Sequence, residues 1–169
     1  MKVIYGIENV SIKEKCAVCI GNFDGLHLGH RLIISVLKKE AEQRGLKSVI
    51  MTFEPHPFRY FNKPINLIST HKKRMDKFLE QETDYLVIAK FNNSLADLSP
   101  EQFVKDILVE KLNAALIIVG TDYRFGSSKS GNTSLLAQLG KKYGFQCMFA
   151  HKLKDTGGVD ISSSRISSL

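Results

Sequence analysis

The sequence predicts an α/β domain, a parallel sheet of five strands with helices on both faces. Short runs that are apolar at nearly every position alternate with longer segments that are apolar on one side only, and glycine or proline marks the junctions. A run apolar throughout suits a parallel strand covered on both faces, and the one-sided segments suit the helices that cover it. Strands joined by helices of this length imply right-handed crossovers within one sheet.

After a short extended start, Ala17 to Ile20 forms the first apolar strand. A glycine-rich turn follows, then a helix in which Leu32, Ile33, Val36, Leu37 and Ala41 keep one face apolar until Gly45 stops it. The second strand runs from Ser48 to Phe53 and ends at Pro55 and Pro57. A loop rich in proline and aromatics leads to a basic helix from about Thr70 to Glu82, with Met75, Phe78 and Leu79 as its buried stripe, and a third strand at Tyr85 to Phe91.

Ser99-Pro100-Glu101-Gln102 has the parts of a helix start: a Ser N-cap, a Pro where the missing N–H costs nothing, and a Gln placed for a capping box. Phe103, Ile107, Leu108 and Leu112 then face inward. Ala114 to Val119 is the fourth strand and ends in Gly120. The polar loop Thr121 to Asn132, a helix from about Thr133 to Tyr143 and a fifth strand from Phe145 to Ala150 complete the alternation. In such a sheet a ligand sits beyond the carboxyl ends of the strands, where the connections diverge.

Composition narrows the function classes. The chain has 169 residues, enough for one domain with a substantial core. Apolar residues at 43% and charged residues at 24% are globular values that exclude wholesale disorder and fibrous repeats. Lys plus Arg number 24 against 17 for Asp plus Glu, and the resulting +7 favours anionic ligands. These basic residues occur as scattered groups (Lys38-Lys39, Lys72-Lys73-Arg74, Lys141-Lys142) without a stripe of interleaved aromatics, so no nucleic-acid partner is expected. No apolar run has bilayer length and Glu8 comes too soon for a signal peptide, so a cytoplasmic protein without a membrane partner is expected.

The three cysteines do not suggest a disulfide framework. Cys16 and Cys19 form a C-x-x-C, yet they sit in Cys16-Ala17-Val18-Cys19-Ile20, which reads as a buried strand, where residues three apart point to opposite faces. They are expected in the core.

Gly21-Asn22-Phe23-Asp24-Gly25-Leu26-His27-Leu28-Gly29-His30 carries most of the chemistry. It lies between the first strand and the first helix, where glycines let a ligand approach the main chain and a helix start offers free N–H groups to phosphate. His27 and His30 are three apart at the helix entrance, so both imidazoles can serve one anion. Such donors, aimed at charge that builds during a reaction, contribute roughly 3–4 kcal/mol each. Gly126-Ser127-Ser128-Lys129-Ser130 lacks the second glycine of a P-loop, and G-x-G-x-x-G is missing after the first strand.

This decapeptide resembles the G-x-F-D-G-x-H-x-G-H signature of prokaryotic FAD synthetases, the FMN adenylyltransferase module usually joined to a riboflavin kinase. Three further blocks follow in the family's order: Thr52-Phe53-Glu54-Pro55-His56-Pro57, Val119 to Gly126 (VGTDYRFG) and Ile161-Ser162-Ser163-Ser164-Arg165-Ile166. The resemblance spans Gly21 to Ile166 and implies a Rossmann-like nucleotidyltransferase fold over 1–169.

It also implies a reaction in which FMN and MgATP give FAD and pyrophosphate. His27 and His30 are then the catalytic pair on the ATP phosphates. Gly21, Asn22, Phe23, Asp24, Gly29 and Asp122 would shape the ATP site, with Ser162, Ser163 and Ser164 opening a last helix that grips the β- and γ-phosphates. Pro55, Pro57, Phe61 and Phe125 would line the flavin side, and no metal ligand is assigned.

Ser167 stands where the family usually has Arg, which would grip phosphate bidentately. The chain ends just after this motif, so a riboflavin kinase domain is expected to be absent and a separate kinase is a partner to seek. A second reading is a catalytically weakened paralogue that binds flavin or nucleotide in a regulatory role.

Overall fold

The computed structural model describes residues 1–21, 23, 28–54, 75–90, 92–152 and 159–163. Seven strands form one sheet: β1 (Lys2–Tyr5), β2 (Cys16–Ile20), β3 (Lys47–Glu54), β4 (Tyr85–Lys90), β5 (Ala114–Gly120), β6 (Gln146–Lys152) and β7 (Val159–Ser163), in the order β1-β4-β3-β2-β5-β6-β7. The first six strands in that order are parallel and β7 is antiparallel to β6. The expected doubly covered parallel sheet is present, with six parallel strands in place of five. The added parallel strand is β1, whose four residues pair with β4, on the far side of β3 from β2.

Helix α1 (Leu28–Arg44) follows β2, and α2 (75–80) precedes β4. Pro100–Gln102 winds as α-helix and Phe103–Lys111 continues it as π-helix, together forming α3, while α4 is Thr133–Tyr143. The sheet separates two cores. Phe103, Val104, Ile107 and Leu108 of α3 and Leu136 and Leu139 of α4 pack on one face, against Val18, Met51 and Ile117. On the other face Ile34, Leu37 and Ala41 of α1 and Phe78 of α2 pack against Ala17, Ile50 and Ile118. Strand alternation makes this division, because neighbouring residues of one strand face opposite cores.

Cys16 and Cys19 fall on opposite faces as that alternation requires, Cys147 shares the core of Cys16, and none of the three forms a disulfide. Burial pushes the Cys16 and Cys147 thiols up to about 12 and raises Cys19 as well. They are packing groups.

Ser99 opens α3 with the full capping box: its hydroxyl accepts from the Gln102 N–H at 3.1 Å, and the Gln102 side chain accepts from the Ser99 N–H at 3.1 Å. In α1 the helix phase differs from the expected face. Ile34, Leu37 and Ala41 are buried, Ile33 and Val36 pack beside them, and Leu32 is exposed. Helix α2 buries Phe78 and brings Met75 against the core, but leaves Leu79 43% exposed, since only one side of it is covered. It ends at 80, two residues before Glu82, which has φ +57°.

The positions after Ser163, where the expected last helix would run, lie outside the described residues, and Ser162 and Ser163 themselves are strand residues. They are the last two residues of β7, paired with Phe149 and Met148, because the backbone groups along the outer edge of β6 take up a strand there. Asn22, Asp24, His27, Pro55, Pro57, Phe61, Ser164 and Ser167 lie outside the described residues.

Candidate functional site

From β2 the sheet grows through β3 and β4 to one side and through β5 and β6 to the other. The carboxyl ends of β2 and β5 therefore flank the point where the connections diverge, the place a parallel α/β sheet offers a ligand. Cys19 is level with Ile118, so counting on by two brings Gly21 level with Gly120. Gly21, which opens the glycine-rich turn after β2, and Gly120, which ends β5, are thus side by side, although a hundred residues separate them in sequence.

Gly21 donates its N–H to the Met51 carbonyl at 3.1 Å, extending the ladder with β3 by one bond. Phe23, two residues on, has φ +50° and a buried ring. A Cβ on Gly21 would come within 3.2 Å of Cζ of that ring, so a side chain at 21 would press on the Phe23 ring. α1 then begins at Leu28, with Gly29 and His30 in its first turn. It runs down the sheet to Arg44, whose Nη1 donates to Oε1 of Gln146, the residue that opens β6, at 2.6 Å. The start of α1 consequently lies at the ligand end, with its free N–H groups and positive dipole end there.

On the β5 side Asp122 is exposed, and its Oδ1 would lie 3.0 Å from a Cβ on Gly120, so the carboxylate covers that glycine. The Tyr123 N–H donates to the Gly120 carbonyl at 3.1 Å and closes the turn. Phe125, expected on the flavin side, is 4% exposed. Its ring stacks on Tyr123 with centroids 5.6 Å apart and packs 5.9 Å from Phe103. It also covers Gly131, with which its backbone forms an isolated bridge. In this setting Phe125 fastens the 121–131 loop to the α3 core, and burial raises the phenol of its neighbour Tyr123.

Ser162 and Ser163 are placed by β7: Ile161 pairs with Ala150, which is level with Gly120, and the two serines run from there back along β6. The last motif thus starts at the same end of the sheet, and α1 comes close to β7 on the covered face.

Two polar residues of the block Thr52 to Pro57 received no site role from the sequence. Thr52 is 0% and Glu54 8% exposed, and alternation from Ile50 puts both on the α1 face at the carboxyl end of β3. A glutamate closing an apolar strand was the available signal. Among the described residues no three His, Cys, Asp or Glu side chains gather as a metal cage. No helix among the described residues is long and apolar enough to cross a membrane.

The family model described as FAD synthetase matches residues 9–165. The bifunctional riboflavin kinase/FMN adenylyltransferase of Buchnera aphidicola from Schizaphis graminum is 38% identical over 98% of this chain and 54% of its own length. Its counterpart in Escherichia coli K12 is 35% identical over 98% of this chain and 54% of its own length. The one in Bacillus subtilis 168 is 34% identical over 92% of this chain and 50% of its own. The chain spans about half the length of these curated relatives. A crystal structure described as a macrolide-efflux protein from Streptococcus pneumoniae superposes with a TM-score of 0.72 at 25% identity, over 99% of this chain and 57% of that one.

Proposed function

The chain belongs to the FAD synthetase family, and from that premise we propose that it is an FMN adenylyltransferase, with 1–169 as its catalytic domain. An oxygen of the FMN phosphate attacks the α-phosphorus of ATP; the new P–O bond gives FAD as the bond to pyrophosphate breaks. Chemistry of this kind needs two polyanions aligned and their charge offset, and alignment alone can supply roughly 7–11 kcal/mol. The single observation that carries the reading is the meeting of the Gly21 turn, the start of α1 and the Asp122 turn where the sheet's connections diverge.

In this proposal the N–H groups of the first turn of α1, with His27 and His30, hold the ATP phosphates. Gly21, Asn22, Phe23, Asp24 and Gly29 shape the ground beneath them, and Asp122 faces the nucleotide from the β5 side. Ser162, Ser163 and Ser164 serve the phosphates from the end of the last strand. Pro55, Pro57 and Phe61 take the flavin, and Phe125 contributes by holding the loop that carries Asp122. Mg2+ arrives with ATP and neutralises part of its charge. A riboflavin kinase, the activity paired with adenylyl transfer in the names of the relatives, supplies the FMN, and the cytoplasm is the proposed site of the reaction.

The test is incubation with FMN and MgATP, with flavins separated by chromatography and pyrophosphate measured in parallel. FAD and pyrophosphate should appear in equal amounts. A folded chain that forms neither product overturns the proposal.

A further inference from the structure

We propose that Phe78, on α2, is a positioning residue for the nucleotide site: its ring holds Phe23 and, through Phe23, the backbone at Gly21, just after β2. The inference rests on the proposed use of that site by ATP. It begins with an outlier. A bulky L-residue at φ +50° is disfavoured, and Phe23 adopts that angle. Such a conformation persists only where the surroundings over-determine it.

The surroundings are specific. The Phe23 ring is 5% exposed and meets Phe78 edge-on, with centroids 6.1 Å apart and planes at 81°, the arrangement favoured by aromatic quadrupoles. Phe78 is fully buried in the same core as Ile34 and Leu37 of α1. On its other side Phe23 lies under Gly21, which has no side chain to push it out. One aromatic pair thus joins three things: the turn, α1 and α2.

Helix α2 is also the first described element after the segment that carries Pro55, Pro57 and Phe61. A well-packed core transmits displacement, so the ring pair connects the nucleotide turn to the element that follows the flavin-side segment. Shortening residue 78 removes the wall that keeps Phe23 in place. The Phe23 backbone can then relax to an ordinary φ, and Gly21 loses the ring packed beneath it, which weakens the hold on MgATP.

The experiment is calorimetric titration of MgATP into the full chain as wild type, Phe78→Leu and Phe78→Met, with Ala41→Gly as a control in the same core near the other end of α1. Thermal melting is recorded for each. Both Phe78 variants should bind MgATP about three- to tenfold more weakly, the scale of a lost aromatic pair. Ala41→Gly, which lowers Tm through helix propensity and lost packing, should keep wild-type affinity. Phe78→Met preserves most of the ring's volume and carries the test if leucine prevents folding. Wild-type affinity in a folded Phe78 variant overturns the inference, and so does equal weakening in Ala41→Gly, which would make general stability the cause. A wild-type chain that binds no MgATP instead removes the nucleotide reading of the turn, and this inference with it.

Discussion

Replacing Gly126 with alanine should detach the Asp122 loop from the body of the domain. Gly126 has φ +79° and ψ 179°, a conformation open almost only to glycine, and forcing another residue into it costs about 1–3 kcal/mol. The added Cβ would also lie 2.7 Å from both the backbone N and Cγ of Pro100 and 2.8 Å from its Cα. Pro100 is pinned at the capped start of α3 and the next residue, Ser127, donates its N–H to the Leu98 carbonyl at 2.6 Å, so neither side can yield by a rotamer change. Overpacking of this kind costs about 1–3 kcal/mol more.

The combined loss of about 2–6 kcal/mol corresponds to a fall in Tm of roughly 5–20 °C for a chain of this size. Gly144→Ala is the comparison without a steric contact. Gly144 is left-handed too, at φ +91°, but nothing lies within 4 Å of a Cβ there, so about 1 kcal/mol is expected. Thermal melts of both variants, with hydrogen exchange at the Ser127 amide, test the argument. Equal Tm losses in the two variants, with Ser127 still protected, would show that the Pro100 contact has no weight and refute it.

His27→Ala and His30→Ala should each lower FAD formation by about 10²–10³-fold at an unchanged Tm, the scale of one lost donor to developing charge, and a melt that collapses instead would mark them as structural. Ser99→Ala removes the hydroxyl that accepts the Gln102 N–H and should cost about 1 kcal/mol, read as a shifted urea midpoint. The thiols make stability fall in alkali. Cys16 and Cys147 stay protonated in the fold up to about 12, whereas unfolded thiols ionise from about pH 9, so in that window the unfolded state binds fewer protons and gains. Denaturant midpoints measured from pH 9 to 11 should decline less steeply in Cys16→Ala and Cys147→Ala than in the wild type, and parallel slopes would contradict the assignment.

Local chemistry was legible in the sequence. The capping box at Ser99, the helix at Thr133–Tyr143 and the doubly covered strands depend on neighbours a few residues away or on a side-chain pattern within one element. The glycine and histidine turn was legible for the same reason, since a strand, three glycines and a helix start are contiguous.

What only tertiary structure decided depends on partners distant in the chain. Lys2–Tyr5 is a strand because the edge of β4 lies open beside it, and four residues of mixed polarity do not announce that. Val159–Ser163 pairs along β6 through backbone groups, which carry no side-chain signal, so the strand that holds Ser162 and Ser163 was not announced by the sequence. Leu79 and Leu32 are exposed because the exact phase of a helix against its sheet sets which of two adjacent apolar residues is covered. Phe125 is taken up between Tyr123, Phe103 and Gly131, a pocket that exists only once α3 and the 121–131 loop have met. Backbone pairing and core contact are non-local, whereas periodicity, capping and turn chemistry are written in consecutive residues, and that difference divides what this sequence determined alone from what folding had to add.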